Sequence, residues 1–215
     1  MLLGSCSAAF VFGGCGFSGG QFLFFTGWFK GQKIEPEFEF AKKVPILVLV
    51  DDPGQLMPNP AHRVTLNQFI GEELIEKKAI TSVIDPKKLV RFQQTRSDFA
   101  KLGAREIGQA MGAEQVLWVS VRDFELGTDI GEQALARLTL GIRVINAAEG
   151  GEHEGKVRLW PEFGDGKIVQ SDMGATDVAK ASRAGGTARE LCRLSATKVA
   201  KNFYEYRLDA FEEKE

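Results

Sequence analysis

Few of the residues that usually announce chemistry occur in this sequence. Histidine appears twice, as His62 and His153, and neither stands at ligand spacing from a cysteine, another histidine or a carboxylate, which removes the common zinc patterns. The three cysteines, Cys6, Cys15 and Cys192, form an odd set with two members in the first fifteen residues, so no disulfide framework can be read. Charge of neither sign dominates: 27 basic against 29 acidic residues leave a formal −2, with no global field to gather nucleic acid. There is no G-x-S-x-G, no P-loop and no dinucleotide fingerprint between a strand and a helix, since Gly13-Gly14-Cys15-Gly16 precedes any predicted element. Hydrolase, ATPase and dehydrogenase chemistry all lose their main support, and the expectation is a chain that is not an enzyme and uses no cofactor.

What is present begins with an unusual amino terminus. Residues 1–29 carry no charged side chain, and the first is Lys30. Met1 to Phe12 is apolar enough for the core of a secretory signal, lacks its positive flank, and is too short for a bilayer span of about 20 residues. Phe12-Gly13-Gly14-Cys15 then resembles a bacterial lipobox: an apolar residue three before a cysteine, small residues next to the scissile bond, and a thiol to take the diacylglyceryl group. Leu3-Gly4-Ser5-Cys6 fits the same pattern with almost no apolar stretch ahead of it, and an apolar tail without lipidation is the plain alternative. The expected organisation is a signal and lipobox segment over 1–15, a Gly- and Phe-rich tether over 16–43, one α/β domain over 44–210 and a charged tail over 211–215. A domain of that size buries roughly 70% of its unfolded surface and needs no disulfide or metal to fold.

Within the domain, Ile46-Leu47-Val48-Leu49-Val50 is a continuous apolar run closed by Asp51-Asp52-Pro53-Gly54, as a strand buried on both faces requires. Leu66, Phe69, Ile70 and Leu74 recur at helical spacing over 62–78, Thr81 to Asp85 is a short β-branched run, and Pro86 suits the first turn of a helix carrying Leu89, Val90 and Phe92. Phe99, Leu102, Ile107, Ala110 and Met111 predict a further amphipathic helix ended by Gly112, and Val116 to Val121 predict a third buried strand. Leu138, Leu140, Ile142 and Val144 then alternate with polar or small residues, and Val157 and Leu159 repeat the alternation. Thr187-Ala188-Arg189-Glu190 reads as a capping box opening a helix with Cys192, Ala196, Val199, Phe203 and Tyr206 on one face, Cys192 being a buried core thiol. The fold class expected is α/β with a single sheet: a parallel β-α-β-α-β first half with right-handed crossovers, an antiparallel meander and a closing C-terminal helix.

Two constellations carry functional content. Asp51 and Asp52 after the first strand, with Asp123 after the third, resemble the acidic cluster of response-regulator receiver domains, which makes a soluble receiver-like signalling domain the alternative function; the plain reading of Asp51-Asp52-Pro53-Gly54 is turn chemistry. Arg137, Arg143, Lys156 and Arg158 fall on the outward face of the meander as a basic strip, or simply as a solvated face offset by Glu152, Glu154 and Glu162.

Cys15-Gly16 before a tether, Val44-Pro45-Ile46-Leu47-Val48-Leu49-Val50-Asp51-Asp52, Ile84-Asp85-Pro86, Met111-Gly112-Ala113-Glu114-Gln115-Val116-Leu117-Trp118-Val119 and Val157-Arg158-Leu159-Trp160-Pro161 together resemble a family of uncharacterised bacterial lipoproteins. In arrangement the chain is also distantly similar to the curli-secretion lipoprotein, the lipoprotein activators of penicillin-binding proteins and the amino-terminal domain of the Tol translocation protein. Those have Gly-Ala-Asp where this chain has Gly112-Ala113-Glu114. The resemblance implies a lipid-anchored, periplasm-facing module of the cell envelope that contacts the membrane through its anchor and binds envelope proteins, without nucleic acid. A curli-type pore is not expected, because the link from Phe124 to Leu135 is too short for a hairpin of roughly ten-residue membrane strands. At about 0.8 kcal/mol per buried CH₂, the several acyl chains of a mature lipoprotein hold firmly, so membrane retention depends on one thiol. The mature protein is expected to begin at acylated Cys15, and Cys15→Ser to leave it soluble or unprocessed when fractions are blotted. Release by Cys6→Ser instead would move the anchor to Cys6, and indifference to both changes would remove it.

Overall fold

In the computed structural model, residues 32–42, 44–127, 136–148 and 155–208 are described. The larger compact unit is Glu35–Tyr206. Its elements in chain order are β2 (Ile46–Asp51), α1 (Pro60–Glu76), α2 (Pro86–Thr95), a 3₁₀ turn (Phe99–Lys101), α3 (Ala104–Met111), β3 (Gln115–Leu126), β4 (Ala136–Asn146), β5 (Arg158–Trp160), β6 (Lys167–Met173), α4 (Ala175–Arg183), α5 (Thr187–Ala200) and a second 3₁₀ turn (Lys201–Phe203). Five strands make one mixed sheet. β2 is parallel to β3, β3 antiparallel to β4, and β4 takes both β5 and β6 on its other side. The expectation of a single sheet is corrected, because β1 (Lys33–Ile34) and β7 (Tyr206–Arg207) form a separate two-stranded ladder.

The apolar run of β2 is buried on both faces, as its composition demands. On one face Ile46 and Val48, with Leu117, Val119, Leu138, Leu140, Ile142 and Val144, lie under α1 and α5, which contribute Leu66, Ile70, Leu74, Leu191, Cys192 and Val199. On the other, Leu47, Leu49, Val116 and Ile145 meet Leu89 of α2 and Ala104 and Ile107 of α3. Each such aliphatic side chain contributes roughly 1.5–3 kcal/mol on burial, so the two layers of helix hold the parallel pair from both sides. α3 sits especially close: a Cβ on Gly108 would collide with Val116 and stand 2.8 Å from Ala147 Cβ. The helix ends where expected, at Gly112, whose φ of 74° is the left-handed conformation that glycine takes without strain.

Several local expectations fail for identifiable reasons. Thr81 to Asp85 is not a strand but a single parallel bridge between Val83 and Ile46, because the Asp85 carboxylate accepts from Lys87 N at 2.8 Å and caps α2, leaving too little extended chain to pair. The helix predicted through Phe99 and Met111 breaks at Leu102–Gly103, where Glu106 accepts from Gly103 N at 2.6 Å and starts α3 afresh. The Thr187 capping box does not form. Gly186 precedes the first turn, the Thr187 hydroxyl bonds Ser182 Oγ at 3.1 Å, and Glu190 pairs with Arg193. Tyr206 lies in β7 rather than on the last helix, which ends at Ala200. Val157 precedes β5 and is half exposed, whereas the unpredicted β6 buries Val169, Ser171 and Met173 by strict alternation. α4 was also unpredicted, and the tether boundary at Val44 falls too late, since Phe40 is buried with its ring 4.8 Å from that of Phe203.

Phe203 joins these parts, meeting both Phe40 and Trp160, the latter at 5.4 Å edge to face. Truncation to Ala is expected to cost about 3–5 kcal/mol in urea unfolding. A loss under about 1 kcal/mol would show that the carboxyl-terminal turn is not docked.

Candidate functional site

The parallel strands end in a groove of about 730 Å³ between α1, α2 and the start of α3. Openings at the carboxyl ends of parallel strands arise because the helices that follow them diverge there, and ligands of open α/β sheets bind in such crevices. The wall is mainly apolar, from Leu49, Val64, Leu89, Val90, Phe99 and Leu102, with Asp51, Arg63, Gln93 and Gln94 as polar points. Two lining side chains carry buried polar atoms without a protein partner. Asn67 donates from Nδ2 to Val48 O at 2.7 Å and is 4% exposed, while its Oδ1 accepts nothing; Trp118 Nε1 likewise has no acceptor. An unmade hydrogen bond at a buried group costs about 1–3 kcal/mol, and here one acceptor and one donor are left unpaired on residues of the groove wall.

The receiver-like reading is corrected by the placement of its three acids. Asp52 is 5% exposed and spent on its own turn, accepting from Leu56 N at 2.8 Å and Met57 N at 3.1 Å. Asp51 is in register with Ser120, whereas Asp123 lies beyond the end of β2, opposite Thr139. Among the described residues no three His, Cys, Asp or Glu side chains are grouped to hold a metal ion. His62, at the start of α1, stacks on Phe124 at 6.1 Å, with Nδ1 buried and without a protein partner. Cys192 is in the core as expected, and burial pushes its thiol up to about 12, which leaves negligible thiolate near neutrality. Cys6, Cys15 and His153 lie outside the described residues.

The basic strip splits into paired and clustered members. Arg137 is bound by Asp172 at 2.8 Å, which holds that carboxyl below its usual range, and Lys156 faces Glu162 at 3.5 Å. Arg143 instead lies over the Trp118 ring at 4.7 Å, with Arg158 and Arg122 as charged neighbours. Glu152 and Glu154 lie outside the described residues. Among the described residues no helix is long and apolar enough to cross a membrane.

No family model and no curated protein matches this chain. Among solved structures it is similar to the PelC dodecamer protein of Paraburkholderia phytofirmans, at 11% identity and a TM-score of 0.43 over 80% of this chain and 97% of that one. Lipoprotein GNA1162 of Neisseria meningitidis is similar at 15% identity and 0.42, over 61% and 84% respectively. The hypothetical protein CT253 of Chlamydia trachomatis gives 12% and 0.41, over 74% and 88%. Nothing about activity follows from likeness at this level.

Sequence reasoning missed Asn67, Trp118 and Arg122. Asn67 carried a signal, a polar residue directly beside Leu66 and Ile70 on the stripe of α1 that faces the sheet. Arg122 carried none, because only the register of β3 against β4 reveals its direction. The contrast between Asp51 and Asp52 is testable: Asp52→Ala, which strips two backbone N–H groups of their acceptor, is expected to cost about 1–3 kcal/mol in urea unfolding. Asp51→Ala is expected to stay within about 0.5 kcal/mol, and magnesium to leave both midpoints unmoved.

Proposed function

We propose that this protein is a lipid-anchored module of the bacterial cell envelope, held to a membrane through Cys15 with its domain facing the periplasm, and that it binds other envelope proteins without catalysing a reaction. One observation carries the reading: the groove at the carboxyl end of β2 and β3 pairs an apolar wall with an unused acceptor, Asn67 Oδ1, and an unused donor, Trp118 Nε1. That combination suits the backbone amide of a peptide segment whose apolar side chains enter the groove. The lipobox-like Phe12-Gly13-Gly14-Cys15 supports the anchor, and the resemblance of the sequence to envelope lipoproteins supports the compartment.

No nucleophile stands beside a base in the groove wall, and Cys192, the described cysteine, lies in the core with a protonated thiol. The proposal is therefore binding rather than turnover. A photo-crosslinking amino acid placed at Gln93, on the groove wall, is expected to give a discrete protein adduct in intact cells, several-fold above the yield from Arg91 on the exposed side of the same helix. The adduct should weaken when Asn67→Leu removes the acceptor. Equal, diffuse labelling from both positions would mean the groove holds no partner.

A further inference from the structure

Three guanidinium groups converge on the outer face of the main sheet, beside the part that packs on α2 and α3. The first is set there by a β-bulge: Val121 pairs with Leu140 and Asp123 with Thr139, so Arg122 is the extra residue and turns outward. Gly141 makes its space, since a Cβ there would stand 3.1 Å from Arg122 Nε. Arg143, on β4, lies against Trp118, and Arg158 reaches the same face from β5. Arg158 donates to Gly164 O and Arg122 to Asp165 O at 3.4 Å, so two of the three brace the 163–166 turn by its carbonyls. Burial and the positive charges of Arg158 and Arg122 pull the Arg143 guanidinium below its ordinary value, against Asp165 as the opposing carboxylate among the described residues. Charge is concentrated here, while Arg137, Lys156 and Lys167 each have a carboxylate at 2.8, 3.5 and 2.7 Å.

Two further observations bear on this cluster. The braced turn displays Phe163 at 82% exposure, an aromatic ring held out beside cationic groups, and Val157 next to Arg158 is exposed as well. The first residues of the larger unit also pass close to this cluster. Glu37 is ion-paired with Lys167, and the adjoining Gly166 lies so close to Arg143 that a Cβ on it would be 3.1 Å from Arg143 Cγ.

We propose that Arg122, Arg143, Arg158 and Phe163 form a membrane-facing surface that seats on the phosphate groups of anionic phospholipids, with the Phe163 ring entering the headgroup region. Guanidinium groups bind phosphate oxygens in forked pairs, and an exposed aromatic beside them suits the interface between headgroup and acyl chain. The inference rests on the lipid-anchored reading for the presence of a membrane, and supplies the second attachment that fixes which face of the domain meets it.

The test uses the full chain carrying Cys6→Ser and Cys15→Ser, so that no acyl group contributes, sedimented with vesicles of phosphatidylcholine alone or with about one third phosphatidylglycerol. Partitioning into the anionic vesicles is expected to exceed that into neutral ones by roughly tenfold and to fall towards the neutral level in high salt. Arg143→Gln with Arg158→Gln should abolish the preference, and Phe163→Ser, at a side chain too exposed to affect folding, should reduce it several-fold. Equal binding to both vesicles, or unchanged preference in both variants, overturns the proposal. Acyl labelling of the unsubstituted protein separates the two readings: labelled Cys15 with no anionic preference in the unacylated chain overturns this surface and keeps the anchor, whereas unlabelled protein with the preference intact removes the anchor and supports the surface.

Discussion

The pairing of β3 with β4 is the contact on which the remaining architecture depends. β4 is hydrogen-bonded along both sides, to β3 on one and to β5 and β6 on the other, and its core-facing Leu138, Leu140, Ile142 and Val144 are fully buried under α1 and α5. A slip of one residue would turn all four to the outer face, so the register is fixed by several kcal/mol of burial rather than by any single hydrogen bond. β3 then passes that register on to β2, which it pairs in parallel from Gln115 to Ser120. The carboxyl-end groove and the outward arginines are both products of this one alignment.

The alignment includes one irregularity, the extra residue at Arg122, and it separates two styles of surface. Before the bulge, the outer face of β3 is apolar or sheltered, with Val116 beneath α3 and Trp118 beneath Arg143. After it, Asp123 and Glu125 face the row that holds Thr139 and Arg137. The same strand thus serves a helix-covered core at one end and a polar face at the other. Its length of Gln115–Leu126 explains why it carries two hydropathy patterns in succession.

Much of this was legible in the residues. The run from Ile46 to Val50, the alternation from Leu138 to Val144, and the stripe of Leu66, Ile70 and Leu74 each have a period set by the geometry of one element, and the structure buries all of them but Val50, which is partly exposed at the end of β2. What escaped depended on tertiary competition. Thr81–Asp85 looks like a strand until Asp85 is drawn into capping α2, and Thr187 looks like a cap until its hydroxyl finds Ser182. The candidate site was legible only in part: Arg143 and Arg158 were visible as an outward strip, but their convergence with Arg122 needed the bulge, and the unused atoms of Asn67 and Trp118 are properties of packing that no local spacing encodes.

β6 has no strand partner besides β4 among the described residues, which leaves it at the border of the sheet. An open strand border is a template on which a second copy can add. Here the border is partly closed from within: Lys198 of α5 donates to Gln170 O at 3.2 Å, and Gln170 in turn donates to the Asp172 carboxylate at 3.0 Å. The Gln170 carbonyl is thus engaged by an ammonium group, and the charges of Lys198 and Asp172 would have to be desolvated by a strand laid over them. The β6 border is to that extent guarded against addition of a further strand.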